Sequence, residues 1–386
     1  MIGMVDKRVR RLRATTMNHF VRHYLNILKK LDWIMVGTVG LISFFSLLSI
    51  YNLERGGQIF YFRKQLIFIA VGFLLMISLS LFDYRSFKSY SSFTIILYLI
   101  TLLALSAVLL VGRRIRGTVG WFSFGGIHFA PVEMAKLAVI LLLAKYFSLR
   151  HIELYRIRHL VASFFYAGLP VFLVLLQPDL GSAFIILVIW FGLVIVSGIR
   201  FRHLVVILLI GAICFGATWA LLLKDYQKER ILTFLNPQKD PLGYSYNLIQ
   251  SVIAIGSGQV LGRGLDNATQ TRLHFLPEAH TDFIFAAAAE EFGFVVVVFL
   301  FALFALLVYR IIRTGMFAPD NFAKLFSLGI SLMFLCQIVI NVGMNMGLMP
   351  IIGIPLPFMS YGGSATMINF IALGILQGIR VRSSRF

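Results

Sequence analysis

Asp282 stands where a long polar stretch meets the apolar run Phe283 to Ala289. A carboxylate at such a border is half-dehydrated, burial raises its proton affinity, and it becomes a candidate general base. An Asp before an apolar run also caps a helix N-terminus, and the two roles are compatible. His280, two residues upstream, is a candidate orienter of that carboxyl group. Glu133 and Lys136 lie three positions apart, which puts both charges on one helix face, either as a structural ion pair or as a binding pair. Gln177 and Asp179 flank Pro178, where they line a cavity or satisfy backbone freed by the proline. Ser360 and Tyr361 sit between the pairs Pro355, Pro357 and Gly362, Gly363, in a segment that shapes a cavity wall or merely turns the chain. Glu290 and Glu291 face a polar groove or a partner.

The elements that must carry these groups are set by composition. Of 386 residues, 59% are hydrophobic and 13% charged, so lipid rather than water is the main solvent. Uninterrupted apolar stretches reach the roughly 18 to 20 residues that cross the hydrocarbon as helix, and none alternates as barrel strands do. The fold class is therefore an all-α polytopic membrane protein. Its ten spans fall near 33–51, 65–82, 92–111, 132–148, 160–176, 182–198, 203–223, 284–308, 322–346 and 361–379.

Residues 1–30 form a basic segment with Lys7, Arg8, Arg10, Arg11, Arg13, Arg22, Lys29 and Lys30, and 31–386 form one transmembrane domain. Cationic side chains resist translocation, so this segment stays in the cytoplasm. Every second loop repeats the bias, and an even number of spans returns the C-terminus to the cytoplasm. The long loop 224–283, before the eighth span, is then extracytoplasmic. So are the other three polar interruptions: the loop Val111 to Pro131, the break at Gln177 to Gly181, and Pro350 to Ser364. The first apolar run lacks a small-residue cleavage site and is expected to be retained as a helix. The net charge of +19 sits beside the spans, which points to anionic membrane lipids and leaves no basic domain for nucleic acid. Cys214 and Cys336 lie inside spans and offer neither a disulfide framework nor a metal cluster.

Four motifs in order carry a resemblance. LPEAHTDFIFA from Leu276, NPQKDPLGYSYNLIQSVIAIGSGQVLGRG from Asn236, GIPLPFMSYGGS from Gly353 and QPDLGSA from Gln177 resemble the SEDS glycosyltransferases of the RodA and FtsW type. The likeness runs from the first span to the C-terminus. TQTRLHFLPEAHTDFIFA followed by AEEFGF is more similar to the elongation-type RodA than to the division-type FtsW. The chain departs from the pattern at Gly117 to Trp121 and at Ala130 to Glu133, where relatives carry an Arg before the Trp and Gln and Ser before the Glu.

The resemblance implies a peptidoglycan glycosyltransferase that polymerises lipid II, an undecaprenyl-pyrophosphate disaccharide-peptide, at the outer face of the bacterial inner membrane during elongation and shape maintenance. Asp282 would be the single base of an inverting displacement. Arg230, Arg263, Arg272 and Lys136 are the cations at hand for the leaving pyrophosphate. A divalent cation could share that work, although no ligand cluster with metal spacing is present. The implied protein partner is a class B penicillin-binding protein, which would crosslink the strand. The competing functions are a flippase for the same precursor and a noncatalytic scaffold that activates the partner.

Overall fold

Lipid offers no partner to backbone N–H and C=O groups, so each apolar stretch satisfies them internally as a helix. The computed structural model describes residues 27–54, 59–115, 118–124, 127–150, 157–221, 228, 234, 245–273 and 275–383. Every predicted span is a helix there. They are α1 (Trp33–Leu53), α2 (Phe60–Leu81), α3 (Ser91–Val111), α4 (Pro131–Arg150), α5 (Ile157–Leu176), α6 (Leu180–Val196) and α7 (Phe201–Leu221), then α9 (Ile284–Met316), α10 (Asn321–Asn345) and α11 (Gly363–Val381), with the shorter α8 (Tyr246–Ser257) inside the long loop. Among the described residues, α1, α2, α3, α5, α9, α10 and α11 are long and apolar enough to cross a membrane by length and composition alone. Helix α6 has 17 residues, and α4 carries four charged side chains, which keeps both below that standard. Of these seven helices the innermost are α10 and α11, with 72% and 78% of their apolar windows buried against 28% for α2 and α3, whose outer faces meet lipid.

Two boundaries move for physical reasons. Helix α2 starts at Phe60 instead of 65 because the Glu54 carboxylate accepts from the N–H groups of Phe60, Tyr61 and Phe62 at 3.0, 2.8 and 2.8 Å, satisfying donors that a helix start otherwise leaves open. Helix α9 runs on past 308 to Met316 because Arg310 is neutralised: its guanidinium makes two bonds, of 2.7 and 2.6 Å, to Asp32.

The all-α class is met, and one loop adds a small ribbon to it. The loop between α3 and α4 contains three short antiparallel strands in the order β1 (Arg113–Ile115), β2 (Thr118–Phe124), β3 (Ile127–Phe129). Aromatic and β-branched residues in TVGWFSF suit a pleated surface, and pairing Phe122 with Phe129 gives the ribbon an apolar face. This ribbon is docked rather than loose. Ser364 at the start of α11 accepts from Ala130 N–H at 2.9 Å and donates to His128 C=O at 3.2 Å.

Asp32, the N-cap of α1, also accepts from Arg380 at 2.6 Å, so both ends of the described chain meet at one end of the bundle. The described residues of the four polar interruptions gather at the opposite end. The ribbon reaches α11 through Ser364, a Cβ on Gly181 would lie 3.0 Å from Ile352 O, and the 350–364 segment bonds to the residues just before α9. The expected convergence on one face of the membrane domain is therefore met in the fold.

Candidate active site

The segment Leu276 to Phe283 is clamped from two sides. From α10, Asn345 and Asn341 donate side-chain N–H bonds of 2.9 and 3.1 Å to the carbonyl of Asp282, and Asn341 also reaches Ile354 O at 2.8 Å. From the segment before α11, Ser360 Oγ donates to Thr281 O at 2.6 Å and Tyr361 N–H donates to His280 O at 2.8 Å. The same Asn345 also accepts, through Oδ1, the N–H of Ala286 in the first turn of α9 at 3.2 Å. Three consecutive carbonyls, those of His280, Thr281 and Asp282, are thus held by named groups.

The Asp282 side chain is half-buried and turned towards Gly353, where a built Cβ would lie 3.6 Å from Oδ2. Gly353 has φ +68, a conformation that costs a side-chain-bearing residue strain. The turn thereby brings its backbone close to the carboxyl group. Helix α9 takes Phe283 as its N-cap residue, with no side-chain cap bond there.

His280 stacks on Tyr61 of α2, with ring centroids 4.3 Å apart and planes 19° from parallel, and its Nε2 lies 3.7 Å from the Glu278 carboxylate. Its stacking and its Glu278 contact thus place the ring between Tyr61 and Glu278. Tyr361 packs edge-on against the same Tyr61 at 4.9 Å. Burial, with Tyr61 and Glu54 adding, pushes its phenol up to about 12, so it stays a neutral hydroxyl at neutral pH.

Of the remaining expected residues, Glu133 and Lys136 form a buried pair at 2.6 Å, 6% and 1% exposed. Gln177 donates to Leu105 O at 3.0 Å and its carbonyl accepts from Val119 N at 3.4 Å, which ties α3, the ribbon and α5 together. Asp179 accepts from Ser182 N at 2.9 Å and caps α6. Both residues are therefore bonded to neighbouring backbone in this structure. Arg263 and Arg272 are exposed and donate to nearby carbonyls, Ser257 O at 3.0 Å and Asp266 O at 2.7 Å. Arg230 lies outside the described residues. Among the described residues no group of three His, Cys, Asp or Glu is placed to hold a metal ion.

Sequence reasoning passed over Asn341, Asn345, Tyr61 and Glu54. The two asparagines had a signal: amides four residues apart share one helix face, and inside an otherwise apolar span they need a polar partner. Glu290 and Glu291 are assigned by geometry. Glu290 accepts from the N–H groups of Gln270 and Thr271 at 2.8 and 3.0 Å, fixing the short helix Thr269–Arg272, and Glu291 accepts from Asn52 of α1 at 2.8 Å.

The sequence matches the FtsW/RodA/SpoVE family, described as cell cycle proteins, over residues 27–385. It is 35% identical over 311 residues to peptidoglycan glycosyltransferase MrdB of Escherichia coli strain K12, covering 81% of this chain and 83% of that one. It is 34% identical to stage V sporulation protein E of Bacillus subtilis strain 168, covering 90% and 94%. Among solved structures, a chain of a peptidoglycan synthase complex described as coordinating polymerization and crosslinking superposes with a TM-score of 0.77 at 33% identity, over 92% of this chain and 99% of the other. The rod shape determining protein RodA of Thermus thermophilus gives 0.69 at 29% identity, over 92% and 98%. A match over nearly the whole chain, in sequence and in fold, makes this polytopic bacterial membrane protein a member of the FtsW/RodA/SpoVE family.

Proposed function

We propose that this chain is a peptidoglycan glycosyltransferase that polymerises lipid II into glycan strands, with Asp282 as general base, on the extracytoplasmic side of the membrane. The observation that carries the reading is the clamp on Asp282: an acid whose backbone carbonyl is gripped by two buried asparagines while its carboxyl group lies near the turn at Gly353. A base must sit within hydrogen-bond reach of the proton it removes, and a fixed backbone narrows its search to side-chain rotation.

In the reaction, Asp282 takes the proton from the 4-hydroxyl of one sugar as that oxygen bonds to the anomeric carbon of another. The bond to the lipid pyrophosphate breaks on the opposite face, so the configuration inverts. The electron pair leaves on the pyrophosphate, where positive charge helps most. Arg263 and Arg272, exposed on the long loop, are the described cations suited to that task, whereas Lys136 is committed to Glu133 inside the bundle. The outward placement rests on the basic loops at the other end, which carry Arg85, Arg150, Arg313 and Lys324. A class B penicillin-binding protein is the expected partner, because a new strand must be crosslinked.

The test uses purified protein, with and without that partner, incubated with lipid II, and separates polymer from precursor. Asp282→Asn should fold normally and lose polymer formation by about a hundredfold or more. Transport of labelled precursor across vesicles without polymer, unaffected by Asp282→Asn, would instead establish the flippase. Stimulation of the partner alone would establish the scaffold.

A further inference from the structure

The residues just before α9 are held from α10 by two asparagines and from the other side by the strip Ser360–Gly362. Ser360 Oγ and the Tyr361 N–H donate to the carbonyls of Thr281 and His280, so wherever the strip sits, those two carbonyls follow. Residues 350–362 form no helix or strand. Phe358 within them has φ +61, a conformation that a side-chain-bearing residue keeps only where its surroundings impose it. The place of the strip is therefore set by what packs against it.

What packs against it is one stripe of α2. Tyr61, Gln65 and Phe68 lie four and three positions apart, on one helix face. Tyr61 meets the Tyr361 ring, and Phe68 is so close to Gly363 that a Cβ there would lie 2.7 Å from its ring. Between them Gln65 grips the main chain: its Nε2 donates to Ser360 O at 3.3 Å and its Oε1 accepts from Gly362 N–H at 3.4 Å. A C=O and an N–H two residues apart are the pair that a neighbouring parallel strand would bond. The carboxamide thus stands in for a strand residue along one edge of the strip, while His280 O takes the Tyr361 N–H along the other.

Gln65 is 0% exposed, and the other buried residues of α2 are Ile69, Gly72, Met76 and Ser80, none of them an amide or a charge. Leucine would serve an apolar span as well, and a buried amide costs free energy unless its polar atoms are bonded. Both of them are bonded, and both to the strip. We propose that Gln65 is a positioning residue for Asp282, fixing the strip Ser360–Gly362 and through it the carbonyls of His280 and Thr281 beside the base. The inference rests on the reading of Asp282 as general base and deepens it.

The test variant is Gln65→Met, unbranched and of similar length, assayed as full-length protein with lipid II beside Asp282→Asn. Its kcat per folded molecule should fall about tenfold, while half-saturation by lipid II changes less than about twofold. Combined with Ser360→Ala, it should be no slower than the slower single variant, because both residues act along one path. Gln65→Asn keeps an amide but shortens its reach; it serves where Gln65→Met does not fold, and the same fall is expected of it. Met76→Ala is the packing control, buried in the same helix about three turns away. It should lower the Tm in detergent and leave kcat per folded molecule near native. Native kcat in Gln65→Met, multiplied losses in the double variant, or an equal loss of kcat in Met76→Ala would each overturn the positioning role and leave Asp282 as the base. Polymer at the native rate from Asp282→Asn would overturn the base assignment itself, and the role of Gln65 with it.

Discussion

At the scale of single residues, the site depends less on its acid than on what holds that acid. Asn345 bonds both the carbonyl of Asp282 and the N–H of Ala286, so one amide fixes the residues on either side of the start of α9. Asn345→Ala removes both bonds and leaves Asn341 as the remaining named grip on the Asp282 carbonyl. Small misplacement of a reacting group is costly, and kcat for polymer formation at saturating lipid II should fall by about ten- to a hundredfold while half-saturation moves less. An unchanged kcat would mean that the clamp does not set the position of the acid. Ser360 and Tyr361 stand out in the sequence beside proline breaks and Asp282 at an apolar border, whereas His280, and the preference for Asp282 as a base over a cap, come from the motif around them. Their mutual placement was not legible there, because each bond links segments about 60 to 80 positions apart, such as Thr281 with Ser360 at 79.

Among elements, the joint between the long loop and α9 explains how a loop is set against the buried first turns of a helix. Helix α9 breaks at Gly293, with φ +75, and its displaced N–H groups are taken by the loop: Phe294 donates to Gln259 O at 2.9 Å and Val295 to Val260 O at 3.1 Å. In return Arg263 N–H donates to Glu290 O at 2.9 Å. Such close backbone approach needs glycine, and a Cβ on Gly262, whose φ is +80, would strike the carbonyl of Glu291. Gly262→Ala should therefore destabilise the protein by about 1–3 kcal/mol from its backbone conformation alone, read as a lower Tm in detergent. Gly256 in α8 is the control, since nothing lies within 4 Å of its built Cβ, and Gly256→Ala should be neutral or stabilising by up to about 1 kcal/mol. Equal losses from both would show that the joint is ordinary helix packing. The ten helices were readable from apolar length, but this joint was not. Its glycines in GSGQVLGRG mark a turn in any context, and the partner Gly293 sits in what reads as continuous helix.

For the whole molecule, the bundle is pinned at the end opposite the site by one buried acid and two arginines. Asp32 is 1% exposed and holds Arg310 of α9 and Arg380 of α11, 278 and 348 positions away. Charge counting along the chain could place these arginines near a basic membrane face, yet not say that two of them turn inward, because pairing at such separations leaves no local pattern. Gln377 adds two bonds to the Asp32 backbone, so α1, α9 and α11 converge on a single residue. Removing that residue leaves two largely buried cations uncompensated. Breaking a buried pair in this way typically costs about 3–5 kcal/mol, whereas replacing the whole group by apolar side chains of similar volume is often neutral. Asp32→Ala should accordingly lower the Tm sharply, and adding Arg310→Met and Arg380→Met to it should restore most of the loss. Because the cluster lies at the far end from Asp282, the triple variant should make polymer at near-native rates per folded molecule. If the triple variant is as unstable as Asp32→Ala, the geometry of these bonds rather than their charge balance holds the three helices in register.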